Sequence, residues 1–152
     1  MNTHTDRIKK TVTLRASRSR VWRALTTPQE FGAWFGANLE AKAFKPGARV
    51  TGKITAPGYE HIALEMVIER VEPERLFSYR WHPYAVEPNV DYSKEPSTLV
   101  EFVLEDAGDS TELRVTESGF DRIPQARRGI AFRMNDEGWA GQLRNIERYV
   151  AK

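Results

Sequence analysis

Apolar and polar residues alternate from Ile8 to Leu14, with Ile8, Val12 and Leu14 on one side and Lys9, Thr11 and Thr13 on the other. A period of two predicts a half-buried strand, with Lys10 as its one violation. The period then changes. Ser17 is a good N-cap, and Val21, Trp22, Ala24 and Leu25 follow at helical spacing. Thr27-Pro28 restarts a helix with proline at its first position, Phe31, Trp34 and Phe35 form its apolar stripe, and Gly36 is its expected stop. Short strands are predicted next at Asn38 to Phe44 and Arg49 to Ile54, joined by Lys45-Pro46-Gly47. After the Ala56-Pro57-Gly58 turn, Glu60 to Val71 places Ile62, Leu64, Met66 and Ile68 on one face. Glu72-Pro73-Glu74 turns the chain into Leu76 to His82, where Phe77, Tyr79 and Trp81 alternate with Ser78 and Arg80.

Ser97 to Asp106 and Thr111 to Ser118 flank the hairpin turn Ala107-Gly108-Asp109, with Val100, Phe102, Leu104, Leu113 and Val115 pointing inward. Between the last two strand groups, Pro83, Pro88 and Pro96 forbid a central strand and mark a long connection, either a binding loop or a surface insertion. The closing segment returns to helical period, with Trp139, Leu143, Ile146 and Val150 on one face. Pro124 is placed to open it, while Gly129, Gly138 and Gly141 weaken its first turns and point to a kink or a separate segment. The order is strand, two short helices, consecutive strands, one long helix. Strands joined by short turns pair antiparallel, and only the last helix is long enough to cover the sheet's apolar face.

At 152 residues, with 40% hydrophobic and 29% charged positions, the chain reads as one globular domain over residues 1–152. The absence of cysteine excludes disulfides and thiol chemistry. The polar stretch Met1 to Arg7 lacks the apolar core of a signal peptide, and no run is long enough for membrane insertion, so a cytoplasmic protein is expected. Charge is unevenly spread around a net of +2. Met1 to Arg23 is basic and Glu101 to Asp121 is acidic, which fits two neighbouring strands neutralising each other better than a nucleic-acid patch.

Candidate chemistry is sparse. Gly47 to Lys53 has P-loop spacing, but Ile54 stands where Ser or Thr is needed and a strand rather than a helix follows, so chance explains it. His4, His61 and His82 are the only histidines. With Glu65, His61 and His82 would make a metal site only if the fold brought them together, and polar strand positions account for them. Ser118 lacks a nucleophile elbow, and nothing selects an acid–base pair from Glu65, Glu69, His82 and Asp91. No metal, cofactor or nucleic acid is expected.

Several segments together carry a family likeness. They are Val21 to Pro28 with Trp34-Phe35; Val71 to Leu76 with Tyr79 and Trp81; Ser97 to Phe102; Ser110 to Thr116; Gly119-Phe120; and Gly138-Trp139 with Leu143, Ile146 and Tyr149. In this order and spacing the chain resembles the helix-grip superfamily of START and birch-pollen-allergen domains. Within it, the chain is similar to bacterial homologues of the activator of the heat-shock-protein-ninety ATPase. The resemblance implies an α+β fold: a curved antiparallel sheet of about seven strands, two short helices after the first strand, and a long C-terminal helix over the concave face. It also implies a cavity for a lipophilic ligand, with a chaperone partner or a cyclase- or hydrolase-type enzyme as alternatives.

On that fold Trp34, Phe35, Phe44, Met66, Tyr79, Trp81, Phe102, Phe120, Met134 and Trp139 turn inward and either fill the core or line the cavity of an apolar small molecule. Arg80 or His82 would meet a carboxylate at the mouth, and the Pro83 to Pro96 loop with the Trp34-Phe35 helix end would form its gate.

Overall fold

The computed structural model describes residues 6–85 and 90–151; His4 and Pro88 lie outside them. Strand β1 (Arg7–Leu14) leads to α1 (Arg18–Thr26) and α2 (Pro28–Phe35). Strands β2 (Ala37–Leu39), β3 (Arg49–Ile54), β4 (Ala63–Glu72), β5 (Leu76–Trp81), β6 (Thr98–Ala107) and β7 (Ser110–Ser118) follow. A 3-10 turn, Phe120–Arg122, then leads into helix α3 (Gln125–Val150). The strands form one 7-stranded sheet in the order β1-β7-β6-β5-β4-β3-β2, with every neighbouring pair antiparallel. β1 closes against β7 at one edge, so the chain must cross to the opposite edge before the meander begins, and α1 and α2 make that crossing.

The helix boundaries follow from local chemistry. Ser17 accepts the Arg20 amide at the start of α1, and Pro28 opens α2. Gly36 ends α2 at φ 94, in the left-handed region that costs glycine least. β2 lies so close to β3 that a Cβ on Gly52 would sit 2.4 Å from the Asn38 carbonyl oxygen. The expected Asn38 to Phe44 strand is short for a packing reason. After Glu40 donates to the Thr51 carbonyl the chain leaves the sheet, and Phe44 drops between Phe31 and Phe77. The strand expected from Glu60 begins at Ala63 instead, because residues 59–62 form a turn closed by the Ile62 amide on the Tyr59 carbonyl.

The closing segment is one continuous helix of 26 residues. Its glycines do not break it. A Cβ on Gly129 or Gly138 would meet nothing within 4 Å, so these positions are open rather than pressed against the sheet. Ala131, Trp139, Leu143, Ile146 and Val150 are the buried residues of the helix.

Beneath α3 the space is occupied by side chains. Leu14, Phe31, Met66, Phe77, Tyr79, Phe102 and Leu113 are fully buried. Aromatic rings run in continuous contact from Phe31 and Phe44 through Phe77 and Tyr79 to Trp81, Phe102 and Trp139. The Trp34 indole donates to the Ala24 carbonyl and ties α2 to α1.

The charged segments are adjacent, as β1 and β7 are, but they do not cancel rung by rung. Thr13 opposes Glu112 and Thr11 opposes Arg114. Arg18–Asp106 links the basic and acidic segments at 3.5 Å, whereas Lys10 pairs with Asp136 of α3 at 3.1 Å. That contact explains the alternation violation. Lys10 shares the concave side with Ile8 and Val12, and its long stem reaches the helix at the sheet edge.

Candidate functional site

Alternation along β7 continues past Leu113 and Val115 to Glu117, which therefore enters the concave face with 0% exposure. Four side chains from three elements solvate its carboxylate. One oxygen receives the Trp139 indole at 2.8 Å and the Asn135 amide at 2.9 Å. The other receives the Trp81 indole at 2.7 Å and the Thr98 hydroxyl at 2.6 Å. The partners named are all neutral donors. Lys10, the lysine of β1 that shares the concave face, is engaged by Asp136. Neutral donors can hold a buried carboxylate when each lone pair is met, and the network fixes the two tryptophans relative to each other. Their ring centroids lie 5.7 Å apart.

Open space begins where this network ends. A cleft of about 130 Å³ is bounded by Phe35, Trp81, Asn135, Gly138, Trp139 and Gln142. It shares Phe35, Trp81 and Asn135 with a larger cleft of about 570 Å³. Ile54, Ile62 and Leu64 supply the larger cleft's apolar wall, and Tyr84, Val90 and Tyr92 close it from the loop side. Its size is that of a small-molecule site. Its position is the end of the grip, between the C-terminus of α2, the β3–β5 side of the sheet and the middle of α3.

Arg127 ties the connection after β5 to α3. Arg127, in the first turn of α3, donates to both Glu95 carboxylate oxygens and to the carbonyls of Pro83 and Tyr84. Its guanidinium also stacks 4.7 Å from the centre of the Tyr92 ring. Arg127 and Glu95 are each only 18% exposed, so the pair is stronger than a surface ion pair. His82 contacts the Glu95 carbonyl through Nε2 at 3.0 Å. Asp91 accepts the Ser93 hydroxyl and amide, and these bonds hold its carboxyl below the usual range, with a smaller contribution from His82.

The residues expected around a ligand separate into groups. Phe35, Trp81 and Trp139 reach the clefts, and so does His82. Trp34, Phe44, Met66, Tyr79, Phe102 and Phe120 are buried in the packed core. Met134 is 37% exposed and borders neither cleft. The helix turns that residue outward while Ala131 and Trp139 face in. Arg80 projects from the opposite side of β5, because Tyr79 and Trp81 take the inner side; it donates to Glu69 at 2.7 Å. Of the two residues expected to meet a ligand carboxylate, His82 borders the larger cleft and Arg80 does not.

His61 and Glu65 border the larger cleft, but Glu65 is bound to Arg49. Among the described residues, no three His, Cys, Asp or Glu side chains are grouped to hold a metal ion. No helix of the described residues is long and apolar enough to cross a membrane.

Glu117 is the functional candidate that sequence reasoning missed. It was counted with the acidic segment, although the strict period of two after Leu113 and Val115 already assigned it to the inner face.

The architecture is the helix-grip fold: a curled antiparallel sheet gripping one long helix. The family profile of Activator of Hsp90 ATPase homolog 1-like proteins matches residues 15–151, and the chain belongs to that family. No curated protein matches the chain. Among solved structures, protein MLL2253 from Mesorhizobium loti is 26% identical with a TM-score of 0.71, over 94% of this chain and 96% of that one. DynU16, a putative protein in the dynemicin biosynthetic locus, is 22% identical with a TM-score of 0.74; the match spans 97% of this chain but 48% of DynU16. The Aha1 dimer from Colwellia psychrerythraea is 18% identical with a TM-score of 0.68, covering 95% of each chain. Likeness at the lower two identities concerns the fold alone.

Proposed function

We propose that the protein reversibly binds an aromatic or otherwise apolar small molecule in the paired clefts, as a carrier or sensor. The supporting observation is a wall of three contacting rings, Phe35, Trp81 and Trp139, that opens onto unfilled space. Apolar contact with flat rings supplies affinity, and the Asn135 and Gln142 amides at the cleft edge supply the few polar contacts such sites use to orient a ligand. The ligand would lie at the end of the grip rather than beneath the helix, since side chains occupy the latter volume.

A chaperone partner, the alternative suggested by the family, needs an exposed apolar patch. Among the described residues the large exposed apolar side chains are Tyr59, Val90, Ile130 and Met134, and of these only Ile130 and Met134 stand one helical turn apart. An enzyme reading would need a poised reactive group at the cleft; there Glu65 is bound to Arg49, His82 contacts the Glu95 carbonyl, Asp91 accepts from Ser93, and the Glu117 oxygens are turned toward four donors.

Intrinsic tryptophan fluorescence titrated with 2-naphthylmethanol tests the binding reading. Saturable quenching is expected in the native protein. Gly138→Leu, which fills the smaller cleft, and Ile54→Trp, which fills the larger, should each weaken uptake about tenfold or more while the far-UV spectrum is kept. The reading fails if no saturation is reached in the native protein, or if both variants bind as it does.

A further inference from the structure

Resting on that reading, we infer that the ligand's apolar body carries a positively charged nitrogen, and that the clefts select against carboxylates. The first observation is the charge lining the space. Among the described residues, no lysine or arginine borders either cleft. Arg49, beside the cleft residue Glu65, is committed to it, and Arg127, beside the cleft residue Tyr84, is committed to Glu95 and two backbone carbonyls. Asp91 borders the larger cleft, and its bonds within the chain come from the neutral Ser93 hydroxyl and amide.

The second observation lies behind the wall. Glu117 carries its charge at zero exposure against neutral donors. A carboxylate in that setting is screened by dipoles rather than cancelled by a counter-ion, so its potential extends into the adjoining cleft.

The third observation concerns the rings. Trp81 and Trp139 both border the smaller cleft, and both give their indole N–H to Glu117. An N–H donated to an anion pushes electron density back into the indole, and the ring face becomes a better partner for a cation. Phe35 and Tyr84 add further ring surface at the same opening. Rings and negative charge together favour an aromatic amine or other protonated nitrogen compound. An anion would meet the same rings and the carboxylates of Asp91 and Glu117, with the imidazoles of His61 and His82 but no lysine or arginine of the described residues beside it.

The test is a matched naphthalene series: 2-naphthylmethylamine, 2-naphthylmethanol and 2-naphthoate, titrated by tryptophan fluorescence at neutral pH and two salt concentrations. The amine should bind about tenfold more tightly than the carboxylate, with the alcohol between them. Asp91→Asn should narrow that gap severalfold, and added salt should narrow it as well. A carboxylate that binds as tightly as the amine, with the alcohol still blocked by Gly138→Leu, overturns the charge preference and leaves the cleft as the binding site. If none of the three saturates, both readings fall together.

Discussion

A carboxyl group without exposure that receives two indoles, an amide and a hydroxyl makes Glu117 the most demanding position in the sheet. Glu117→Leu would strand all four donors and should cost about 3–5 kcal/mol in urea unfolding. Glu117→Gln keeps one acceptor oxygen but turns an amide nitrogen toward the remaining donors, and should cost about 1–3 kcal/mol. Tyr79 behaves oppositely. Its hydroxyl is buried with no hydrogen-bond partner, so Tyr79→Phe should stabilise the protein by about 1 kcal/mol at neutral pH. Burial, and then the charge of Glu117, pushes the Tyr79 phenol well above its ordinary range near 10. A group with a raised folded-state value favours folding fully below its unfolded value, and that contribution is lost as pH rises beyond it. Native stability should therefore fall above about pH 10, and Tyr79→Phe should remove that part of the slope.

Three helices meet at Glu30. It accepts from Arg20 of α1 at 2.8 Å and from Tyr149 of α3 at 3.0 Å, and Arg23 adds a bond at 3.1 Å. Burial acts to raise its carboxyl, but the Arg20 and Tyr149 bonds and the two guanidinium charges outweigh that and leave it lowered. Stability from this cluster is present above the unfolded carboxylate value and lost as pH falls through the folded one. Glu30→Gln should flatten stability below about pH 4.5, at a cost of up to about 1 kcal/mol near neutrality. Arg127 ties the loop after β5 to α3, so Arg127→Met should raise amide exchange over residues 90–96 on the order of tenfold while the sheet stays protected. In α3, Gly138→Ala should add about 1 kcal/mol, because a Cβ there meets nothing.

Across the whole molecule, legibility followed periodicity. Alternation along β5, β6 and β7 and the helical stripe of α3 placed Phe77, Tyr79, Phe102, Leu113, Trp139 and Ile146 inside, where they are buried. Caps and turns placed Ser17, Pro28, Gly36 and Gly108 at element ends. Local pattern carries no information about which inward rings touch one another and which border open space. For that reason the ten proposed ligand-facing side chains divide between a packed core, an end cleft and, for Met134, the exposed face of α3. Arg80 was assigned to the mouth because it ends a strand, yet alternation alone turns it outward. Glu117 was passed over because a carboxylate at an inward position conflicts with burial cost, and only the convergence of β5, β6 and α3 resolves that conflict.

The pairing of β1 with β7 also bears on synthesis. Arg7 lies opposite Ser118, so the first strand of this sheet to be synthesised has no hydrogen-bonding neighbour in it until nearly all of the sheet has followed. Closing so long a loop is entropically slow. A nascent chain stalled before Ser110 would display β6 with its outer edge bare, open to pairing with another copy. Cotranslational aggregation should therefore peak in that window and vanish once the β7 hairpin has emerged.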